Sequence, residues 1–289
     1  MRMGAAIHQV DAFTDRPFAG NPAAVCLLDA FPAPAWMQAV AAEMNLAETA
    51  FLVRRPAGCE YDLRWFTPAV EVALCGHATL ASAHVLWETA AAPPAATIVF
   101  HTLSGPLGAR RDGAWIDLDF PAEPAAPLSE PPPDLAAILG APPVWVGANR
   151  FDLVVELASE AEVTALDPDL RRVKPLPYRG LLVTARAARP GYDMVSRFFA
   201  PASGIDEDPV TGSAHCCLGP FWSQRLGKDR LLGYQASHRG GTVRVTVAGD
   251  RVHLGGQAVT VLRCELAAAA ETDERQPRGA AGRLNESMG

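Results

Sequence analysis

The 289-residue sequence predicts an α+β fold with two similar halves, each a curled, mainly antiparallel sheet around a central helix. Three observations predict this class. A proline-rich stretch lies near the middle of the chain, and a repeated pattern occurs on either side of it. Many short segments rich in β-branched or aromatic residues are bounded by glycine, proline or aspartate, which is typical of strands.

The proline-rich stretch sets the expected domain boundary. Residues 121–143 contain eight prolines, which exclude a continuous helix or a central strand, and we expect only one short helical turn there, at residues 135–139. The sequence therefore predicts an N-terminal domain over residues 1–124 and a C-terminal domain over residues 125–266. The polar residues 267–289 read as a flexible tail.

The repeat places one helix at the centre of each half. The first half reads "FTPAVEVALCGHATL" from Phe66, and the second reads "FAPASGIDEDPVTGSAHCC" from Phe199. Each contains an F-x-P turn, an acidic loop, a glycine and then a run of small residues with helical character. We expect these helices to begin at Gly76 and at Gly212.

The remaining segments complete the α+β pattern. "PAWMQAVAAEM" carries Trp36, Val40 and Met44 at helical spacing behind Pro34, which predicts a helix. The expected strands lie at residues 23–29, 50–55, 61–66, 97–102, 114–120, 144–148, 153–157, 180–186, 242–249 and 251–266.

Composition and charge exclude several classes of partner. The net charge of −7 argues against nucleic-acid or anionic-membrane binding, because both need a basic surface. The first residues lack an apolar signal region, and no segment approaches the roughly 18 apolar residues of a membrane span. A cytoplasmic protein is the expectation.

The six cysteines do not suggest a disulfide framework or a metal site. None occurs in a CxxC arrangement, and the adjacent Cys216 and Cys217 would point about 100° apart on a helix. We expect no metal.

Both expected central helices begin beside ionisable or polar residues. His77 follows Gly76, while Asp208 and Ser213 flank Gly212. Free N–H groups and the positive end of the helix dipole at two facing helix starts would form an anion site, suited to a small carboxylate-bearing molecule. The alternative is that both are ordinary glycine-led helix starts packed on a sheet.

Two carboxylates are candidates for acid–base chemistry. Pro209 disfavours a helical conformation for Asp208, so its carboxylate should point out of the helix, whereas Asp206 and Glu207 read as solvated loop charges. Glu48 directly precedes an apolar strand. We expect it to be partly buried with a raised pKa, although an exposed glutamate at a strand start is an equal alternative.

Six blocks resemble the signatures of the PhzF family of phenazine-biosynthesis-like isomerases. In order they are "VDAFTDRPFAGNPAAVCLLD", "NLAETAF", "FTPAVEVALCGHATLASAHVL", "DEDPVTGSAHC", "QASHRGG" and "VHLGGQAVTVL", and together they span residues 6–266. The resemblance implies a diaminopimelate-epimerase-like architecture with the active site between the halves. It also implies a homodimer without metal or organic cofactor.

The resemblance further implies an activity and a set of site residues. The family's best-known reaction is isomerisation of trans-2,3-dihydro-3-hydroxyanthranilate. The implied catalytic residues are Glu48, His77, Asp208 and Ser213. The implied substrate-binding residues are Gly76, Gly212, Thr211 and Cys75. Residues 178–180 and 238–240 are further candidates for the second-half side of the cleft, the latter being equally typical of a turn.

Two rival functions remain open at this point. Epimerases of this superfold use two thiols, one from each half, and Cys75 matches the first position, but the second-half loop offers Asp208 and Ser213 instead. A non-catalytic binding or scaffold protein could also keep this fold, although Glu48 and Asp208 are both retained.

Overall fold

The computed structural model describes residues 5–56 and 58–267, so the expected tail at 267–289 lies outside the described residues beyond Ala267. The first half contains β1 Ala6–Ala12, β2 Asn21–Leu28, α1 Pro34–Met44, β3 Glu48–Arg54, β4 Glu60–Phe66, β5 Glu71–Val72, α2 Gly76–Glu88, β6 Ile98–Thr102, β7 Gly105–Asp112 and β8 Trp115–Pro121.

The linker and second half contain β9 Ala126–Pro127, α3 Leu135–Leu139, β10 Trp145–Ala148, β11 Asp152–Glu156, α4 Glu160–Ala165, α5 Leu170–Val173, β12 Gly180–Arg186, β13 Met194–Ala200, a 3₁₀ turn Pro201–Ser203, β14 Ile205–Asp208, α6 Gly212–Leu226, β15 Arg230–Gln235, β16 Gly241–Ala248, β17 Arg251–Gly256 and β18 Ala258–Glu265. The predicted α+β class is confirmed, and so is the helical turn at 135–139.

The two halves have the same strand pairing. In the first half β2 pairs in parallel with β3, and β4 with β6; in the second half β11 pairs in parallel with β12, and β13 with β15. The other pairings are antiparallel. Helix α2 therefore corresponds to α6, and β1–β9 correspond in order to β10–β18.

The halves also exchange their last strands. The short β9 pairs with β10 of the second half, and β18 returns to pair with β1 of the first half. A further antiparallel pairing joins β8 to β17. The domain limits at 124 and 266 remain a prediction, and the β1–β18 and β8–β17 pairings join the two predicted domains into one sheet.

Each central helix lies inside its curled sheet, as the small residues predict. Residues 77–83 of α2 and 214–219 of α6 are buried, and one central cluster of apolar residues includes side chains from both halves. Two outer clusters cover the sheets from the other side, one under α1 and one under α3, α4 and α5. The buried Ser82 and Thr79 satisfy their hydroxyls by donating to the carbonyls of Ala78 and Cys75.

A proline inside α6 is accommodated by the linker. Pro220 has no N–H to donate to the carbonyl of Cys216, which would leave that buried acceptor unpaired. The backbone N–H of Glu123 donates to this carbonyl at 3.1 Å. Glu123, which follows β8, thus supports the central helix of the second half. Among the described residues, no helix is long and apolar enough to cross a membrane.

Candidate active site

The N-termini of α2 and α6 meet between the two halves. A Cβ atom added to Gly76 would lie 3.5 Å from Cα of Gly212, and the reverse distance is also 3.5 Å. Neither N-cap residue, Cys75 or Thr211, bonds its side chain to its own helix start. The prediction that both helices begin at these glycines and face each other is confirmed, and it brings two sets of first-turn amides to one place.

Glu48 and His77 form a close pair on the first-half side. Glu48 is the first residue of β3, and its Oε2 lies 3.0 Å from Nε2 of His77. Their side chains are 14% and 7% exposed. Among the described residues Oε2 has no well-aligned hydrogen-bond donor, so the contact acts as an ion pair.

The expected rise in the pKa of Glu48 was wrong in direction. Burial does favour the neutral acid, but the charge of His77 and contacts with His77 and Cys75 outweigh it and lower the pKa of Glu48 below its usual value. The sequence-based expectation took account of the burial of Glu48 but not of the neighbouring His77. Glu48 is therefore a carboxylate at neutral pH.

His77 shows the complementary effect. Burial disfavours the charged imidazolium, but the negative groups around it raise the pKa of His77 well above its usual value. Burial raises the pKa of the Cys75 thiol to about 11, so at neutral pH this group is uncharged. We therefore assign the stabilisation of the imidazolium to Glu48.

Asp208 reaches the same place from the second half. It is the last residue of β14, and its Oδ1 accepts a hydrogen bond from Nδ2 of Asn21 at 2.8 Å, while Oδ2 accepts one from Oγ1 of Thr211. Burial raises the pKa of Asp208, and His77 and Thr211 oppose that rise. Asp208 thus favours its protonated form more than an ordinary aspartate does.

The segment before Asp208 corrects one expectation. Residues 205–208 form a short strand and not a loop. Asp206 is exposed, but Glu207 accepts hydrogen bonds from Arg197 at 2.7 and 3.0 Å and is not a free solvated charge. This ion pair holds β14 against β13 and so fixes where Asp208 points.

Asn21 is a site residue that the sequence reasoning missed. It is fully buried, and its Nδ2 donates to Asp208 at 2.8 Å and to the Val210 carbonyl at 2.9 Å. The same Nδ2 also lies 3.2 Å from Nδ1 of His77. An amide has two hydrogens, so the two shorter contacts use both. A signal was present in the turn "GNP", where Gly20 has a φ of 63°.

Gln235 supports the second-half side from behind. Its Oε1 accepts from the Thr211 amide at 2.9 Å, and its Nε2 donates to the Asp208 carbonyl at 2.8 Å. Gln235 is fully buried at the end of β15. Its sequence signal is its place as the first residue of the block "QASHRGG".

Ser213 lies at the start of α6 and contacts Arg179. Its Oγ accepts from Nη2 of Arg179 at 3.0 Å, and Arg179 in turn donates from Nε to the buried Asp152 at 2.9 Å. The candidate segment 178–180 thus reaches the site through Arg179. In the segment 238–240, Arg239 donates instead to Asp11 and to the carbonyls of residues 19 and 20, and so supports the turn before Asn21.

The thiols are not arranged for a two-thiol mechanism. Cys75 precedes Gly76, and Thr211 occupies the corresponding position before Gly212. Cys216 and Cys217 lie deeper in α6, where burial raises the pKa of both thiols, that of Cys217 to about 12. The second half offers a hydroxyl where the mechanism needs a thiol.

One group among the described residues could hold a metal ion. Single ligand atoms of Glu48, Cys75 and His77 all lie within 4.8 Å of one another, and each is a type of zinc ligand. Cys216 and Cys217 do not take part in it. The absence of a metal remains a prediction.

The fold and the site together place ionisable groups of an enzyme type between two related α+β halves, and the comparisons with known proteins identify the class as isomerases. A model of phenazine biosynthesis-like proteins matches residues 10–264. An uncharacterized isomerase of Halalkalibacterium halodurans is 52% identical over 260 residues, 90% of this chain and 97% of its own. The chain belongs to the PhzF family.

Solved structures agree with this assignment. A PhzF family protein of Enterococcus faecalis superposes with a TM-score of 0.87 at 40% identity, covering 92% of this chain and 100% of its own. A hydroxyproline epimerase from Agrobacterium vitis has a TM-score of 0.60 at 11% identity and covers 93% of each chain, which shows a shared fold. The predicted two-half, epimerase-like architecture is confirmed.

Proposed function

We propose that this isomerase moves a proton within a small, conjugated, carboxylate-bearing molecule, such as trans-2,3-dihydro-3-hydroxyanthranilate, without a cofactor. The observation that carries the proposal is the buried, ionised Glu48 beside His77 at the point where two helix N-termini meet. A carboxylate base next to an anion-binding position suits proton abstraction from an anionic substrate.

The proposed reaction has two balanced steps. Glu48 takes a proton from a substrate carbon, and the electrons of the broken C–H bond move into the adjacent conjugated system. Protonated Glu48 then returns the proton to another carbon of the same system, whose electrons form the new C–H bond. Glu48 ends as a carboxylate, so no oxidant, reductant or co-reactant is consumed.

Substrate binding would make Glu48 a stronger base. In the free protein His77 lowers the pKa of Glu48, which keeps it ionised but weakly basic. An anionic substrate disfavours a second negative charge nearby and therefore raises the pKa of Glu48 in the complex. The limited exposure of the pair shields the transferred proton from water.

The other site residues bind and polarise the substrate in this proposal. Asp208 and His77 contact its amino and hydroxyl groups. The backbone amides of Gly76, Gly212 and Ser213, with the Ser213 hydroxyl, bind its carboxylate. Cys75 and Thr211, the two N-cap residues, line the same space. Assembly as a homodimer remains part of the proposal and follows from the family resemblance alone.

Proton NMR of the protein with trans-2,3-dihydro-3-hydroxyanthranilate in D₂O tests the proposed activity. We expect the substrate signals to be replaced by those of an isomer that has gained at most one deuterium, at the carbon that receives the proton. An unchanged spectrum would contradict this substrate. A panel of small amino- and hydroxycarboxylic acids in which none is isomerised and none takes up deuterium would contradict the reaction class and favour a binding protein.

A further inference from the structure

We propose that Arg179, held by Asp152, positions the Ser213 hydroxyl and makes the second half of the site select a carboxylate over a neutral group. The inference rests on the proposed function and names a residue that the site prediction left without a role. Its basis is the chain of contacts from Asp152 through Arg179 to Ser213, together with the correspondence between the two halves.

The correspondence shows what Arg179 replaces. Thr49 opposes Phe66 where β3 pairs with β4, and Leu181 opposes Phe199 where β12 pairs with β13. These two phenylalanines begin the repeated F-x-P turn, and Glu48 and Gly180 directly precede Thr49 and Leu181. Gly180 therefore occupies the position of Glu48. His77 and Ser213 correspond as well, because each directly follows the glycine that begins its central helix.

The second half cannot place a carboxylate at the position of Glu48. A Cβ atom on Gly180 would lie 2.4 Å from Cζ of the buried Phe198, so this position has no room for a side chain. The residue before it, Arg179, contacts Ser213 instead. The first half thus presents an acid–base pair, and the second half presents a cation and a hydroxyl.

The guanidinium is held in one place from three sides. Asp152 is fully buried and accepts from Nε of Arg179 at 2.9 Å. The rings of Phe151 and Phe198 lie 5.2 and 5.5 Å from the guanidinium carbon, within reach of a cation–π contact. The Arg179 side chain is still 38% exposed, so its charge is accessible to a bound molecule beside Ser213.

The contact with Ser213 fixes the direction of its hydroxyl hydrogen. Arginine has no acceptor atom, so Nη2 donates and Oγ of Ser213 accepts. The hydroxyl hydrogen is then free to donate to a carboxylate at the start of α6. Such a hydrogen bond gains from the nearby positive charge, whereas a neutral amide at the same position gains little.

Calorimetric binding of 2-aminobenzoate and 2-aminobenzamide tests this inference without turnover. The two probes differ in charge and neither can undergo the proton shift. We expect the wild-type protein to prefer the carboxylate. Arg179→Met combined with Asp152→Asn, which avoids leaving a buried charge unpaired, should weaken carboxylate binding about tenfold or more. Amide binding should change by less than about twofold.

Two further variants complete the test. Arg179→Lys keeps a positive charge and should recover part of the preference; failure to recover any would overturn the role of charge. Arg150→Met is the matched control, because Arg150 also stacks on Phe151 but pairs with Glu123. It should bind both probes as the wild type does, and an equal loss of preference there would overturn the assignment to Arg179.

The outcomes separate the inference from the function on which it rests. A wild-type preference for the carboxylate that survives in the Arg179 and Asp152 double variant would overturn the inference and leave the proposed function standing. A wild-type protein without any preference would overturn both. Thermal unfolding of each variant, with the midpoint above the temperature of the titration, confirms that the folded protein is measured.

Discussion

Each member of the Glu48–His77 pair controls the protonation of the other. Burial disfavours the charged form of both Glu48 and His77, and the opposite charge 3.0 Å away favours the charged form of each. The pair therefore provides a base that is ready at neutral pH without a raised pKa. The ionised state of Glu48 therefore depends on the charge of His77.

Replacing His77 should move the acid limb of the pH–rate profile. In the wild type the lowered pKa of Glu48 places the fall of kcat/KM through this group at a lower pH than for an ordinary glutamate. In His77→Gln only the contact with Cys75 still opposes burial, so the pKa of Glu48 should rise and the rate should fall at a higher pH. The pH dependence of kcat/KM measures this shift.

The matched control for this prediction is His101→Gln. His101 lies 2.6 Å from Glu60 in another histidine–glutamate pair, outside the cleft. This variant should keep the wild-type profile. An unshifted acid limb in His77→Gln would show that the ionisation of Glu48 does not depend on its neighbour.

At the residue scale, the sequence predicted where the candidate residues lie but not the direction of the pKa shift of Glu48. Glu48, His77, Asp208 and Ser213 were each placed beside an expected helix or strand start, and the structure brings them between the two halves. The pKa direction could not be predicted, because it depends on a partner 29 residues away along the chain. Asn21 was missed, although it lies in the first of the six blocks, because its role depends on contacts with Asp208 and Val210, which are distant in the chain.

At the element scale, α6 contains a histidine that cannot take part in the chemistry. His215 is fully buried, and its Nδ1 lies 2.8 Å from the carbonyl of Thr211. Burial lowers the pKa of His215 to about 4, so it is neutral in the folded protein at pH 7. The hydrogen bond assigns the proton to Nδ1, since a carbonyl only accepts.

This histidine should make stability depend on pH. The unfolded chain binds a proton at His215 below about pH 6.5, whereas the folded protein does so only near pH 4. Stability is therefore complete above pH 6.5 and should fall by on the order of 3 kcal/mol as the pH drops to 4. Urea unfolding at several pH values measures the slope.

The variant His215→Asn isolates this effect. Asparagine can still donate to the Thr211 carbonyl but does not titrate, so the variant should lose part of the slope between pH 6.5 and 4. The exposed His238→Asn should keep the wild-type slope. Equal slopes in all three proteins would contradict a buried neutral His215.

Gly180 should be intolerant of a side chain. In Gly180→Ala the added Cβ must displace the ring of Phe198, which should cost about 1–3 kcal/mol of unfolding free energy. Gly108→Ala is the control in strand β7, because no atom lies within 4 Å of its added Cβ. The free energies of unfolding in urea should differ accordingly, and equal values would contradict the close packing at Gly180.

Several elements could not be predicted from local sequence. Strand β7 contains glycine, proline and three charged residues, and it is a strand because β6 and β8 pair with it on both sides. Strands β1, β13 and β15 and the short helices α4 and α5 were also missed. Their pairing or packing partners are distant in the chain, whereas α1, α2 and α6 have local signals at their starts.

At the scale of the whole molecule, the two halves are joined by more than a linker. β18 pairs with β1, β8 pairs with β17, and the central apolar cluster contains residues of both halves, among them Val10, Val25, Val245 and Leu254. The cleft between the halves therefore lies in a continuous structure.

We expect the two halves to unfold together because they share this core. Thermal unfolding followed by tryptophan fluorescence and by far-ultraviolet circular dichroism should give one transition with the same midpoint. The repeat in the sequence predicts the two halves but not their exchange of β9 and β18. Two separated transitions would show that each half is stable alone and would contradict the shared core.

The central claim is that Glu48 carries the proton, and the most direct measurement compares Glu48→Gln with the wild type by proton NMR in D₂O with trans-2,3-dihydro-3-hydroxyanthranilate. We expect Glu48→Gln to lose at least about a hundredfold in rate while keeping its fold, because the amide cannot accept the proton. Glu43→Gln, on the exposed face of α1, should keep the wild-type rate. Turnover by Glu48→Gln at the wild-type rate would contradict the account.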